Sequence, residues 1–219
     1  MRLLFLGLAC FLTASPALAD EQIWAVMQLK AKINDRFSVG LEWQPRLTNG
    51  LSRNGDNLFG PSLSYKLNDR ATITGMYTAA ITTPLNRPIR REHRFTAQLQ
   101  LLLAGKKGKA ALTSRTRLEQ RIVENNDDPA MRFRQQLRAE LWLSDSRTVF
   151  ASSEAFFGLE SADWGLSAGL DQVRTMVGVN QDITDHLGIE LAFQDQRFSR
   201  PRPQSPNQVG IITLTYRLN

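Results

Sequence analysis

Cysteine and histidine are almost missing: the 219 residues hold one cysteine, Cys10, and two histidines, His93 and His186. Cys10 falls inside an apolar N-terminal run, so the chain beyond it has no thiol for a disulfide or a thiolate metal site. Neither histidine stands with a serine or carboxylate in a triad pattern, and no metal or cofactor site is expected. There is no glycine-rich phosphate loop. Long hydrophobic runs are missing as well. After the first twenty residues the best, Leu99–Ala104, is far too short to cross a bilayer as a helix, which excludes a helical membrane protein. Basic residues outnumber acidic ones, 27 to 21, but they alternate with apolar residues instead of clustering, so no nucleic-acid partner is expected. With 42% apolar residues and mixed charge, wholesale disorder is not expected.

What is present begins with an export pattern. Met1-Arg2 supply a positive start, Leu3 to Leu12 are almost wholly apolar, and Ala17-Leu18-Ala19 forms an A-x-A site before Asp20. Residues 1–19 therefore read as a cleaved secretory signal peptide and 20–219 as one domain.

That domain alternates with period two nearly throughout, the signature of strands. Arg36–Gln44 sets Phe37, Val39, Leu41 and Trp43 against Ser38, Gly40, Glu42 and Gln44. Glu92–Leu103 and Met131–Leu143 alternate in the same way. Similar segments run over Gln22–Ile33, Leu58–Leu67, Ala71–Thr82, Ala110–Val123, Thr148–Phe157, Asp171–Gln181, Leu187–Phe198 and Gln208–Leu218. No segment reads as a helix. Short connections rich in Asn, Asp, Gly and Ser (Asn34-Asp35, Asn68-Asp69, Gly105–Lys109, Ser144–Ser146, Thr184–His186) alternate with long polar ones. The long ones are Pro45–Asn57, Thr83–Arg91, Glu124–Ala130, Gly158–Gly169 and Ser199–Asn207. This pattern predicts an all-β, antiparallel, up-and-down transmembrane β-barrel of the outer membrane of Gram-negative bacteria. Eleven segments conflict with the even strand number usual for such barrels. Ten strands are expected, with the first segment left out, or twelve with one more found.

Magnitudes decide which face meets lipid. A soluble barrel would have to enclose on the order of fifty apolar side chains, more than a small barrel interior holds. An arginine or lysine at the bilayer midplane costs about 2–4 kcal/mol. Arg115, Arg117 and Arg121 share one parity, so that parity is expected to face the lumen. Aromatics agree: Phe37, Tyr65 and Tyr216 fall near the short turns, and Trp43, Phe59, Phe95, Phe133 and Phe157 near the long loops. The last strand, ending Tyr216-Arg217-Leu218-Asn219, resembles the signal read by the barrel-assembly machinery, although Asn219 replaces the usual aromatic end.

The inward parity carries Arg46, Arg94, Arg115, Arg117, Arg121, Arg132, Arg134, Arg138 and Arg174 with Glu42, Glu92, Glu119, Glu140, Glu154 and Glu190. Cross-strand ion pairs are expected among them, with positive charge in excess. A narrow pore or binding cavity for small anionic solutes is the expected function. The alternatives are a structural or partner-binding barrel with an ion-paired, plugged lumen, and a hydrolase at the rim near His93. Enzymatic activity is not expected. Arg87, Arg90, Arg91, Arg200 and Arg202 lie in long loops, where they would meet lipopolysaccharide phosphates or solvent.

The run Arg115-Thr116-Arg117-Leu118-Glu119-Gln120-Arg121 resembles the central R-x-R-x-E-x-R pattern of the bacterial family catalogued as domain of unknown function 2490. Trp24, Glu92-x-Arg94, Arg132-x-Arg134, Glu154 before Phe156-Phe157, and Arg174 before Gly178 support the resemblance. It implies an outer-membrane barrel and carries over no catalytic residue.

Overall fold

The structure is a computed structural model that describes residues 22–48, 53–84, 88–200 and 208–218. The export pattern of residues 1–19, Arg87, Arg202 and Asn219 lie outside the described residues. Eleven strands follow in chain order: β1 (Gln22–Lys32), β2 (Phe37–Thr48), β3 (Arg53–Asn68), β4 (Ala71–Thr82), β5 (Arg90–Lys106), β6 (Ala110–Val123), β7 (Ala130–Ser144), β8 (Arg147–Gly158), β9 (Gly169–Asp182), β10 (Leu187–Phe198) and β11 (Gln208–Leu218). Each pairs with its neighbours in sequence, and β1 pairs with β11 to close a barrel.

The strand number corrects the expectation of ten or twelve. An even number follows only when the first and last strands run antiparallel. Here β1 is a full strand lying parallel to β11, from Gln22 opposite Val209 to Ala31 opposite Leu218. A parallel closing pair makes the number odd and sets Gln22 and Leu218 at opposite ends of the barrel. The other neighbouring strand pairs are antiparallel.

The short turns are fastened by their own side chains. Asn34 Oδ1 accepts from the N–H groups of Arg36 and Phe37, each at 2.9 Å, and Asn68 Oδ1 accepts from Arg70 N–H at 2.8 Å. Lys32 meets Asp35 at 2.8 Å and Lys66 meets Asp69 at 2.6 Å. Hydrogen bonding to those lysines holds both exposed aspartates below the usual carboxylate range.

The long-loop end departs from the sequence reading at two places. Pro45 and Asn57 were assignable to a loop by composition, yet they pair across β2 and β3, which continue to Thr48 and Arg53. The Arg46–Asp56 ion pair at 3.3 Å spans that ladder, and a bulge follows at Arg46/Leu47. Arg90 and Arg91 open β5 instead of lying in the loop, and their partners in register are Thr82 and Ile81. Between β8 and β9 the chain folds back on the barrel: Ala162 and Leu166 pack with Ala130 against Trp164, whose indole N–H donates to the Asp128 carbonyl at 2.7 Å.

Burial is inverted relative to a water-soluble domain. Leu137, Leu141, Leu63 and Val177 on the outer wall are about half exposed, while Glu92 and Glu119 inside are 2% and 3% exposed. The outer aromatics pair across strands, with Phe37 and Tyr65 ring centres 4.8 Å apart near the turns and Phe133 and Phe157 6.3 Å apart near the loops.

Candidate functional site

Because inward residues of adjacent strands stand side by side, register decides which charges meet. Arg94 stands opposite Arg121, and Arg117 opposite Arg134, placements that would repel without carboxylates nearby. Glu92 resolves the first. It receives Arg94 Nε and Nη2 at 3.0 and 3.1 Å, and Arg121 through Nη2 at 3.0 Å and through Nε. Glu119 receives Arg132 Nε at 2.8 Å and Arg134 Nη1 at 2.5 Å. Glu154 receives Arg134 Nε and Nη2 at 3.1 and 2.9 Å, with Arg115 Nη2 at 3.4 Å. Three carboxylates thus hold five guanidiniums along the inner wall of β5–β8. Nearer the turns, Arg138 bridges Glu140 and Glu190, each at 3.0 Å, and its guanidinium lies 3.5 Å from the Phe150 ring centre.

Of the nine arginines read from the sequence as lumenal, Arg117 and Arg174 have no carboxylate partner within ion-pair distance among the described residues. Arg117 donates through Nε to Gln98 Oε1 at 2.7 Å. Arg174 stands in register between Glu154 and Gln196, but the Glu154 oxygens are taken by Arg134 and Arg115. Its guanidinium instead lies 4.6 Å from the Phe156 ring centre and 5.1 Å from that of Trp24. Arg46 packs on the same indole at 3.8 Å. Such stacking occupies the face of a guanidinium and leaves its N–H groups, which lie in the plane, to find acceptors. Among the described residues, the Nε atoms of Arg46, Arg90, Arg115 and Arg174 are buried without a hydrogen-bond partner, as is Gln194 Nε2.

These unmet donors line one cavity of about 620 Å³ inside the barrel. Thr48, Gly55, Thr82, Thr83 and Pro84 line it as well, placing one end of it at the long loops. Of the fifteen charged residues read from the sequence, all line it except Glu92, Arg138 and Glu140. Glu92 is buried under its arginines, and the other two lie nearer the turns. Sequence reading missed Trp24, Asp56 and Arg90 as lumenal residues. Parity carries the signal for Trp24, which alternates with Val26 and Gln28; Asp56 and Arg90 are masked by loop-like composition.

The remaining candidates fall elsewhere. His93 lies on the outer wall near the loops, with Nδ1 2.7 Å from the Tyr77 hydroxyl and Nε2 3.4 Å from Glu124 Oε1. A carboxylate is therefore beside this histidine, but it shares the outward parity of Phe95, facing away from the cavity. His186 donates from Nδ1–H to the Arg217 carbonyl, 2.9 Å away, and braces a turn. Arg91 pairs with Glu124 at 3.7 Å and Arg200 donates to Ser167 Oγ at 2.6 Å. Among the described residues no cluster of three or more His, Cys, Asp or Glu is placed to hold a metal.

A protein of Methylorubrum extorquens described as uncharacterized is 29% identical to this chain over 202 residues, covering 89% of this chain and 88% of its own length. The family model described as protein of unknown function DUF2490 matches residues 21–207, the stretch that carries β1 to β10 and the charged interior but not the closing strand β11, and the chain belongs to that family.

Proposed function

We propose that the barrel resides in the outer membrane after export and removal of residues 1–19, and that its cavity takes small anionic solutes from the long-loop side. The observation that carries this reading is the arginine pair at Trp24: Arg46, whose Nη1 is held by Asp56, and Arg174 both lie against the indole, with Nε atoms in the cavity wall that are buried and find no partner among the described residues. Buried donors without acceptors are costly, and an anion supplies acceptors with charge. The volume falls within the range usual for small-molecule sites, about 300–1,000 Å³. An apolar outer wall with aromatics toward both ends supports the membrane placement. Lipid and lipopolysaccharide are then the surroundings of the outer wall, and the assembly machinery acts on the chain during insertion.

Isothermal titration of the purified, folded barrel with acetate is the test. Losing a charge-assisted hydrogen bond costs about 1.5–3 kcal/mol, so Arg174→Gln is expected to weaken binding about tenfold or more. Arg36→Gln, at a turn and hydrogen-bonded to the Tyr65 hydroxyl, is expected to leave it unchanged. Equal binding by the wild type and Arg174→Gln would contradict the reading. Planar-bilayer recording separates passage from binding, since anion-selective conductance, lowered by Arg117→Glu, accompanies only a continuous pore.

The dense pairing on β5–β8 favours a second reading, a structural or partner-binding barrel filled by its own ion pairs. That reading predicts neither acetate binding nor conductance.

A further inference from the structure

The cavity wall opposite the arginine network carries an apolar patch among polar neighbours such as Gln22, Gln194 and Thr213. On β1 and β11 the inward residues include Trp24, Val26, Val209 and Ile211, which form a buried cluster against Met176 of β9 and Ala192 of β10. Val26, Ile211 and Met176 line the cavity, and Leu58 of β3 lines it too. These residues stand on the parity that carries the ion pairs on β5–β8. Where the lumen is filled by ion pairs, they serve no pairing; against a solute, they offer a surface that rewards apolar contact.

Register orders the wall along the barrel axis. Trp24 stands opposite Arg46 on one side and Ile211 on the other, while Gln28, four residues nearer the turns, stands opposite Glu42. Glu190 stands opposite Thr213, also turnward of Ile211. Glu42 and Glu190 both line the cavity. From the loops inward a solute meets guanidiniums, with Asp56 beside Arg46, then an apolar surface, then Glu42 and Glu190.

We infer that the solute is a monocarboxylate with a short apolar tail: its head pairs with Arg174 and Arg46, and its tail lies on Val26, Ile211 and Met176. Glu42, which accepts from the neutral Gln28 at 2.8 Å, disfavours a second negative charge at the far end, whereas Glu190 is already held by Arg138; a dicarboxylate of the same length is therefore rejected. This inference rests on the anion-cavity reading and adds the chemical class.

The experiment titrates the full-length folded barrel, in detergent with micelle blanks subtracted, with acetate, hexanoate and adipate in turn. Hexanoate is expected to bind at least tenfold tighter than acetate and at least tenfold tighter than adipate. Val26→Thr, close in shape but polar, is expected to cut the hexanoate affinity severalfold, and Arg174→Gln to cut it tenfold or more. Acetate binding as tightly as hexanoate, adipate matching hexanoate, or a Val26→Thr barrel indistinguishable from wild type would overturn the inference while leaving an anion cavity in place. Failure of all three carboxylates to bind would overturn both.

Discussion

Glu119→Leu is expected to destabilise the folded barrel by about 3–5 kcal/mol, the cost of stranding buried charges by removing their partner. Glu119 is 3% exposed and joins Arg132 and Arg134, whose side chains are themselves largely buried. Without it Arg132 has no carboxylate left, whereas Arg134 keeps Glu154. The loss is read as a shift of the urea midpoint for the barrel refolded in phospholipid vesicles. Adding Arg132→Met to Glu119→Leu is expected to recover most of it, because removing both members of a buried pair leaves no orphaned charge. A single-variant loss below about 1 kcal/mol would mean that the network is solvated, like surface pairs. In that case the lumen is far wetter than its geometry implies.

The second large effect belongs to the outer wall. Leu137 sits at the middle of β7 and is about half exposed, with nothing but its neighbours on the wall beside it. In a membrane-embedded barrel, Leu137→Arg is expected to cost about 2–4 kcal/mol, and Leu143→Arg, close to a turn, about 0–1 kcal/mol. The same vesicle unfolding titration measures both. If water bathed this wall, both substitutions would fall within about 0.5 kcal/mol of zero, as exposed changes on soluble proteins do. The difference between the two positions therefore tests the environment and not merely the residue.

The strands and their parity were readable because period two runs nearly unbroken from Gln22, and because arginines recur on one parity of β6 and β7. The closure was not. Nothing in the local pattern of β1 tells whether its partner is antiparallel or parallel, since the pairing of Gln22 with Val209 joins the two ends of the chain. The even-number rule then competed against a good strand and misled. Pro45, Gly55 and Asp56 read as loop by composition, but ladder bonds and the Arg46–Asp56 pair extend β2 and β3 through them.

An excess of lumenal arginine over glutamate was likewise legible from parity alone. Which arginine is left over was not, because that depends on register and reach. Arg174 faces Glu154 across the β8–β9 ladder and loses it to Arg134, a diagonal neighbour on the other side, on β7. The apolar inner surface at Trp24, Val26 and Ile211 hid for a related reason: apolar residues on both parities of β1 and β11 blur the alternation. Its grouping appears only when the parallel seam brings those strands together.

The orientation of the wall is tested most directly by spin labels, since Cys10 is the chain's lone cysteine and lies in the leader pattern. Single variants Leu137→Cys and Leu191→Cys on the outer wall, and Ser152→Cys on the inner one, are labelled with a nitroxide in refolded vesicles. Collision rates with oxygen, which concentrates in lipid, and with a water-soluble nickel chelate then report each surrounding. Oxygen is expected to dominate at 137 and 191 and the chelate at 152. Nickel dominating at 137 and 191 would place the leucine wall in water and contradict the membrane barrel.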